Sequence, residues 1–139
     1  MVKAQEFLNK KYPHRTRDQL VTDYSINISS QNLEGNLELN LDKFPNLEYL
    51  DVSDNLMTGI IFASSVKEVN KKQKLEPKIK FLNLSNNKFD QQDLTCVSEL
   101  TNLEELFVSN TNFRGNLEPL KNLTKLRKLD ISNTNIDSG

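Results

Sequence analysis

A chain of 139 residues with 18 Lys+Arg against 19 Asp+Glu carries a net charge of −1, so no global field draws it toward nucleic acid or an anionic membrane. The length suits a single domain. A hydrophobic content of 36% is lean for a compact globule but adequate for stacked units that each need only a few inward residues.

The start, Met1-Val2-Lys3-Ala4-Gln5-Glu6-Phe7-Leu8, lacks the apolar core of a signal peptide. No run approaches the roughly 18 apolar residues needed to cross a bilayer. Cys96 is alone, so the chain cannot staple itself with a disulfide as secreted repeat proteins often do. These features point to a cytoplasmic, reduced setting, with a secreted or extracellular one as the alternative. Ala4 to Tyr12 then reads as a short amphipathic helix with Ala4, Phe7 and Leu8 on one face, stopped by Pro13. Thr16–Val21 adds a further turn. Residues 1–22 are expected to cap the domain, with Phe7, Leu8 and Leu20 plugging its first apolar flank.

A serial pattern follows. In Leu47-Glu48-Tyr49-Leu50-Asp51-Val52-Ser53-Asp54-Asn55-Leu56-Met57, apolar residues stand first, fourth, sixth and eleventh, with asparagine ninth. The pattern returns at Ile79–Phe89, Leu103–Phe113 and Leu126–Ile136, and more weakly at Asp23–Leu33. The ninth positions are Gln31, Asn55, Asn87, Thr111 and Thr134, in steps of 24, 32, 24 and 23 residues. Alternating residues such as Leu82-Asn83-Leu84 require a strand. Steps of three and four follow at Leu37, Leu41, Phe44 and Leu47, at Leu94, Val97, Leu100 and Leu103, and at Leu117, Leu120, Leu123 and Leu126, predicting a helical or 3₁₀ return.

A period in the twenties built on Leu-x-x-Leu-x-Leu-x-x-Asn-x-Leu is the signature of leucine-rich repeats, and residues 23–139 resemble that family. The resemblance implies an α/β leucine-rich-repeat solenoid: a right-handed coil with a concave parallel β-sheet of about five strands, a helical or 3₁₀ convex side and an N-terminal helical cap. The ninth-position amide is expected to bond backbone groups of adjacent coils, each of which would cost about 1–3 kcal/mol if buried unpaired. Thr111 and Thr134 offer a hydroxyl for the same task. Leu33-Glu34-Gly35-Asn36-Leu37, Met57-Thr58-Gly59-Ile60-Ile61 and Phe113-Arg114-Gly115-Asn116-Leu117 look like the Leu-x-Gly-x-Ile step of plant-type repeats, which forms a second short strand. Phe89-Asp90-Gln91-Gln92-Asp93 has no such glycine, so that strand is not expected in the third repeat. The opening Ala4–Pro13 also looks like the caps of an expanded fungal group of these proteins.

The second repeat is longer, at 57–78. Ser65-Val66-Lys67-Glu68 has capping-box spacing, predicting an outer helix to about Leu75 with a basic face of Lys67, Lys71, Lys72, Lys74 and Lys78; such a face is ordinarily a solvated one. The chain stops at Ile136-Asp137-Ser138-Gly139, just after a core residue. A fragment lacking its C-terminal cap is therefore expected, or an end that self-associates.

No nucleotide-binding glycine motif, Cys-x-x-Cys or His-Glu-x-x-His occurs. His14, the only histidine, has no partner for a triad or a zinc cluster. Cys96 reads as a small, partly buried hydrophobe. Asp51 and Asp130 share a strand position three strands apart, about 14 Å, too far for glycoside hydrolysis at about 5–9.5 Å. No enzyme, cofactor or metal is expected, and no nucleic-acid or membrane partner. Three sequons, at Asn27, Asn83 and Asn122, are by-products of the repeat consensus.

The outward positions remain. They form one column of Ser25, Tyr49, Phe81, Glu105 and Lys128, a second of Asn27, Asp51, Asn83, Phe107 and Asp130, and a third of serines. Aromatic residues grouped on a polar sheet mark a binding surface. The expectation is a non-catalytic module binding a protein or peptide, with Tyr49, Phe81 and Phe107 as anchors and Asp51, Asn83, Glu105, Lys128 and Asp130 supplying selectivity. Glu105 and Lys128 are also expected to pair across strands. The alternative is a receptor-type ectodomain fragment that reads a peptide or glycan.

Overall fold

The computed structural model describes residues 1–13, 24–63, 76–90 and 92–137. The expected turn at Thr16–Val21 with Leu20, the start of the first repeat at Asp23, and the outer helix with Lys67, Lys71, Lys72 and Lys74 lie outside the described residues.

The chain coils through five short parallel strands, β2 (Ser25–Asn27), β4 (Tyr49–Asp51), β6 (Phe81–Asn83), β7 (Glu105–Phe107) and β9 (Lys128–Asp130), in the order β2-β4-β6-β7-β9. Each strand is three residues long, and its middle residue points inward. Ile26, Leu50, Leu82 and Leu106 are fully buried and share one register with Leu129. The result is a parallel-strand β-solenoid, the architecture the repeat pattern led us to expect. Adjacent coils cover one another, so the core is continuous from Ala4 to Leu123.

Each strand ends in a sharp turn that needs a left-handed residue. Ser30 takes it after β2, and Asp54, Asn86, Asn110 and Asn133 take it in the later coils, all with φ between 53° and 56°. Aspartate and asparagine tolerate that region because their short side chains bond locally. The sequence reading passed over this place, although Ser-Asx recurs before the ninth position in all four good copies. The side chains also form ladders: Asn86 Nδ2 donates to Asp54 Oδ1 at 2.7 Å and Asn133 Nδ2 to Asn110 Oδ1 at 2.9 Å.

At the ninth position Asn55 behaves as expected. Its Nδ2 donates to the carbonyls of Ile28, Val52 and Ser53, while Oδ1 accepts from the amides of Gln31 and Leu33. Asn87 repeats this one coil on, donating to the Val52, Leu84 and Ser85 carbonyls and accepting from Met57. The threonines do less. Thr111 and Thr134 donate to Val108 and Ile131 within their own coils, because a hydroxyl lacks the reach of an amide. Gln31 stays exposed and bonds the Ser29 carbonyl.

The convex side differs from expectation in the first two repeats. The second strand is long rather than short: β3 (Leu33–Asn40) and β5 (Leu56–Ala63) run parallel for eight residues each. The reason is visible in Leu37-Glu38-Leu39-Asn40, an alternation of period two whose Leu37 and Leu39 are both buried; the step from Leu37 to Leu41 belongs to the strand, and the expected 3₁₀ return begins at Leu41. A short strand, β1 (Val2–Lys3), joins the same sheet beside β3, and helix α1 (Ala4–Lys11) lies against β3 with Ala4 and Leu8 buried. Gly35, at φ +81°, sits where the β3–β5 register slips. The 3₁₀ returns fall at Leu41–Lys43, Leu94–Val97 and Glu118–Leu120, as expected for the later coils. Arg114–Gly115 (β8) and Asn135–Ile136 (β10) pair as the second strands of the last two repeats.

The third repeat has no second strand among its described residues. A side chain stands in for one. Gln92 Nε2 donates to the Ile60 carbonyl at 2.7 Å while its Oε1 accepts from the Ile60 amide at 3.2 Å, the pair of bonds a neighbouring strand would otherwise make.

Candidate functional site

The solvent-facing residues of β4, β6 and β7 stand in register, so Tyr49 is the direct neighbour of Phe81, and Asn83 of Phe107. The pleat places Phe107 diagonal to Phe81. The three rings meet accordingly. Tyr49 and Phe81 stack at 4.4 Å between centroids and 6° between planes, and Phe81 meets Phe107 at 5.4 Å and 43°. All three are half-buried. Stacked rings on adjacent strands turn their faces to each other and their edges to solvent, so the row is a ridge of ring edges rather than a flat platform. On its other side Tyr49 has the small Ser25 as register partner.

The polar residues expected at the site divide into two groups. Glu105 lies opposite Lys128 and takes both Lys128 Nζ at 3.6 Å and Arg127 Nη2 at 3.4 Å, so the expected cross-strand pair is present and doubled. Asp51, Asn83 and Asp130 instead begin local turns. Asp51 Oδ1 accepts from the Ser53 amide at 2.9 Å and hydroxyl at 2.6 Å, and Asp130 Oδ1 takes the same two bonds from Ser132. Asn83 Oδ1 accepts from the Ser85 amide. This gives the serine column its structural role. The hydrogen bonds from Ser132 hold the Asp130 carboxyl below the usual range. Burial, then the neighbouring Asp51 charge, raises the Tyr49 hydroxyl.

Beside this row runs one that sequence reasoning missed. Glu48, Lys80, Glu104 and Arg127 open the successive strands with alternating sign, and Lys80 reaches Glu48 at 3.0 Å while Arg127 reaches Glu104 at 3.5 Å. Their one-before-the-strand spacing was the available signal. A shallow depression lined by Glu48, Lys78, Lys80 and Asn102 opens on this rim.

Nothing here resembles a catalytic constellation among the described residues. Burial pushes the Cys96 thiol up to about 12, so it is no thiolate nucleophile. No group of three or more His, Cys, Asp or Glu among the described residues could hold a metal ion, and none of the described helices is long and apolar enough to cross a membrane.

Comparison with known proteins agrees with this geometry. The Leucine Rich Repeat family matches residues 46–65 and 78–100, the second and third coils. No curated protein matches the sequence. Among solved structures, the LRIM1/APL1C complex is similar over 90% of this chain and 20% of that one, at 19% identity and a TM-score of 0.60. An internalin, inlF, from Listeria monocytogenes aligns over 70% of this chain and 32% of that one, at 23% identity and a TM-score of 0.44. The plant peptide hormone receptor RGFR1, solved in complex with RGF2, aligns over 83% and 20%, at 22% identity and a TM-score of 0.46. The chain spans about a fifth of the length of the first and last of these, and likeness at such identity concerns the fold.

Proposed function

We propose that this leucine-rich-repeat chain is a non-catalytic recognition module whose concave sheet binds a protein or peptide, with Tyr49, Phe81 and Phe107 as anchors and Asp51, Asn83, Glu105, Lys128 and Asp130 around them. The observation that carries the proposal is the aromatic ridge itself. Three contiguous rings remain half-buried on a face whose other side chains are polar, although the fold does not need them there: Ser25, Glu105 and Lys128 occupy the column of Tyr49 and Phe81 on other strands, and Asn83 and Asp130 that of Phe107. Aromatic anchors of this kind dominate protein interfaces. The alternative of a flat sugar ring is less well served, because the stacked faces of Tyr49 and Phe81 are occupied by each other.

Selection of a displayed random-peptide library against the protein tests this. Phe81→Ala and Phe107→Ala are each expected to weaken the selected binders by tenfold or more, since truncating an interface anchor typically costs about 2 kcal/mol. Ile61→Ser, on the convex sheet where Ile61 is exposed, is expected to leave them unchanged. Binders indifferent to both phenylalanines would remove the assignment.

A second reading has an independent observation behind it. Leu129 is 38% exposed, whereas its register partners Leu50, Leu82 and Leu106 are fully buried, so β9 offers an apolar sheet edge through which the chain self-associates.

A further inference from the structure

The ligand class follows from what the concave face leaves unmatched. Five acids, Glu48, Asp51, Glu104, Glu105 and Asp130, face three bases, Lys80, Arg127 and Lys128. All three bases are taken: Lys80 by Glu48, Arg127 by Glu104 and Glu105, and Lys128 by Glu105. Among the described residues neither Asp51 nor Asp130 pairs with a cation. Each is nonetheless fixed in place, because its Oδ1 is held by the amide and hydroxyl of the serine two residues on. Each carboxylate, held through one oxygen, keeps acceptor capacity for a visitor; at Asp51 the Tyr49 hydroxyl shares it.

Their separation is set by the sheet. Asp51, Asn83, Phe107 and Asp130 form one register row, so the two carboxylates are three strand spacings apart, about 14 Å. An extended peptide advances about 3.4 Å per residue and therefore covers that distance in about four residues. Four is even, so both ends of the span point to the same side. The residue midway points there too, and lands between Asn83 and Phe107, with the edge of Phe81 diagonal to it. Ring edges suit an aliphatic side chain. At the Asp51 end, the Tyr49 ring face turned toward Ser25 adds a surface on which a guanidinium can lie while bonding the carboxylate.

We propose that the concave face recognises an extended peptide crossing the strands, with arginines four residues apart and an aliphatic residue midway (Arg-x-Leu-x-Arg). The proposal rests on the concave-face reading above and names its ligand.

Fluorescence anisotropy of labelled synthetic peptides tests it. Gly-Arg-Ser-Leu-Ser-Arg-Gly is expected to bind at least tenfold more tightly than its Glu-for-Arg counterpart. It is also expected to bind more tightly than a version with one extra serine, whose second arginine points away. Asp51→Asn and Asp130→Asn are each expected to weaken it about tenfold without unfolding the protein, because Asn27 and Asn83 already occupy the same turn position in neighbouring coils. Preference for the acidic peptide, or indifference to both aspartate variants while Phe81→Ala and Phe107→Ala still abolish binding, overturns the basic ligand and leaves the concave-face reading standing. Absence of binding by every peptide, together with no phenylalanine-dependent binder from the display library, overturns both.

Discussion

Asn55 and Asn87 show how one side chain can stitch two coils. Each bonds three carbonyls and at least one amide at the tight turn, in a setting where such groups are shielded from water. Asn87→Ala orphans the Leu84 carbonyl and the Met57 amide and removes one of the two bonds on each of the Val52 and Ser85 carbonyls. It is expected to lower unfolding free energy by on the order of 3 kcal/mol, measured by urea titration. The Thr111 hydroxyl holds only its own coil, so Thr111→Val is the milder loss. A pH signature belongs to Asp93. Its carboxylate accepts from the Thr95 amide at 2.9 Å at the start of a 3₁₀ turn, and hydrogen bonds from Thr95, with Arg114 nearby, lower its pKa. A folded pKa below the unfolded value means stability present above about pH 3.9 and lost as pH falls through the folded pKa. Asp93→Asn keeps the acceptor without the charge. The stability difference between wild type and variant is therefore expected to be flat above pH 5 and to shrink below pH 4 in acid-titrated chemical denaturation.

Between elements, the convex sheet is closed on one side by a side chain. β3 and β5 pair at seven register positions, and past β5 the ladder is continued by Gln92 on Ile60 and then by the Gln92 carbonyl, which accepts from the Arg114 amide at 3.0 Å. The third repeat thus hands the convex side over from strand to 3₁₀ turn without leaving the Ile60 groups unpaired. Gln92→Ala removes both side-chain bonds and is expected to cost about 1–3 kcal/mol. Hydrogen exchange at the Ile60 amide, monitored by NMR, should accelerate while exchange at Leu82 and Leu106 does not; equal acceleration at all three would mean Gln92 does nothing local. The concave strands need no such device, since each finds its neighbour one coil away at the same register.

Over the whole molecule, stability is carried by contacts between neighbouring coils, so it declines where a coil has a neighbour on one side alone. The N-terminal side is covered by α1 and β1, with Tyr12 edge-on to Phe44 at 5.6 Å. Along the other direction burial falls away: Leu120 and Leu123 are nearly buried, Leu126 partly so, and Leu129 is 38% exposed. If β9 is a self-association edge, light scattering should show mass rising with concentration, and Leu129→Lys should hold the protein monomeric. A concentration-independent mass for both would discard the edge as an interface.

Periodicity, with the family resemblance it carries, determined the solenoid, the inward leucines, the register of the strands and the columns facing solvent. Each of these depends on spacing within a repeat and on a copy of the same spacing next door. The Glu105–Lys128 pair was legible for the same reason. Only the tertiary structure decided how the outward residues use their neighbours. It turned Tyr49 and Phe81 face to face, tied Asp51 and Asp130 to serines with no cation on either among the described residues, and gave Arg127 a second acid. It also decided the convex side, where Leu37 and Leu39 extend a strand and Gln92 imitates one. Period three and period two compete over so short an apolar run, and the contest is settled by partners that sequence spacing does not reveal.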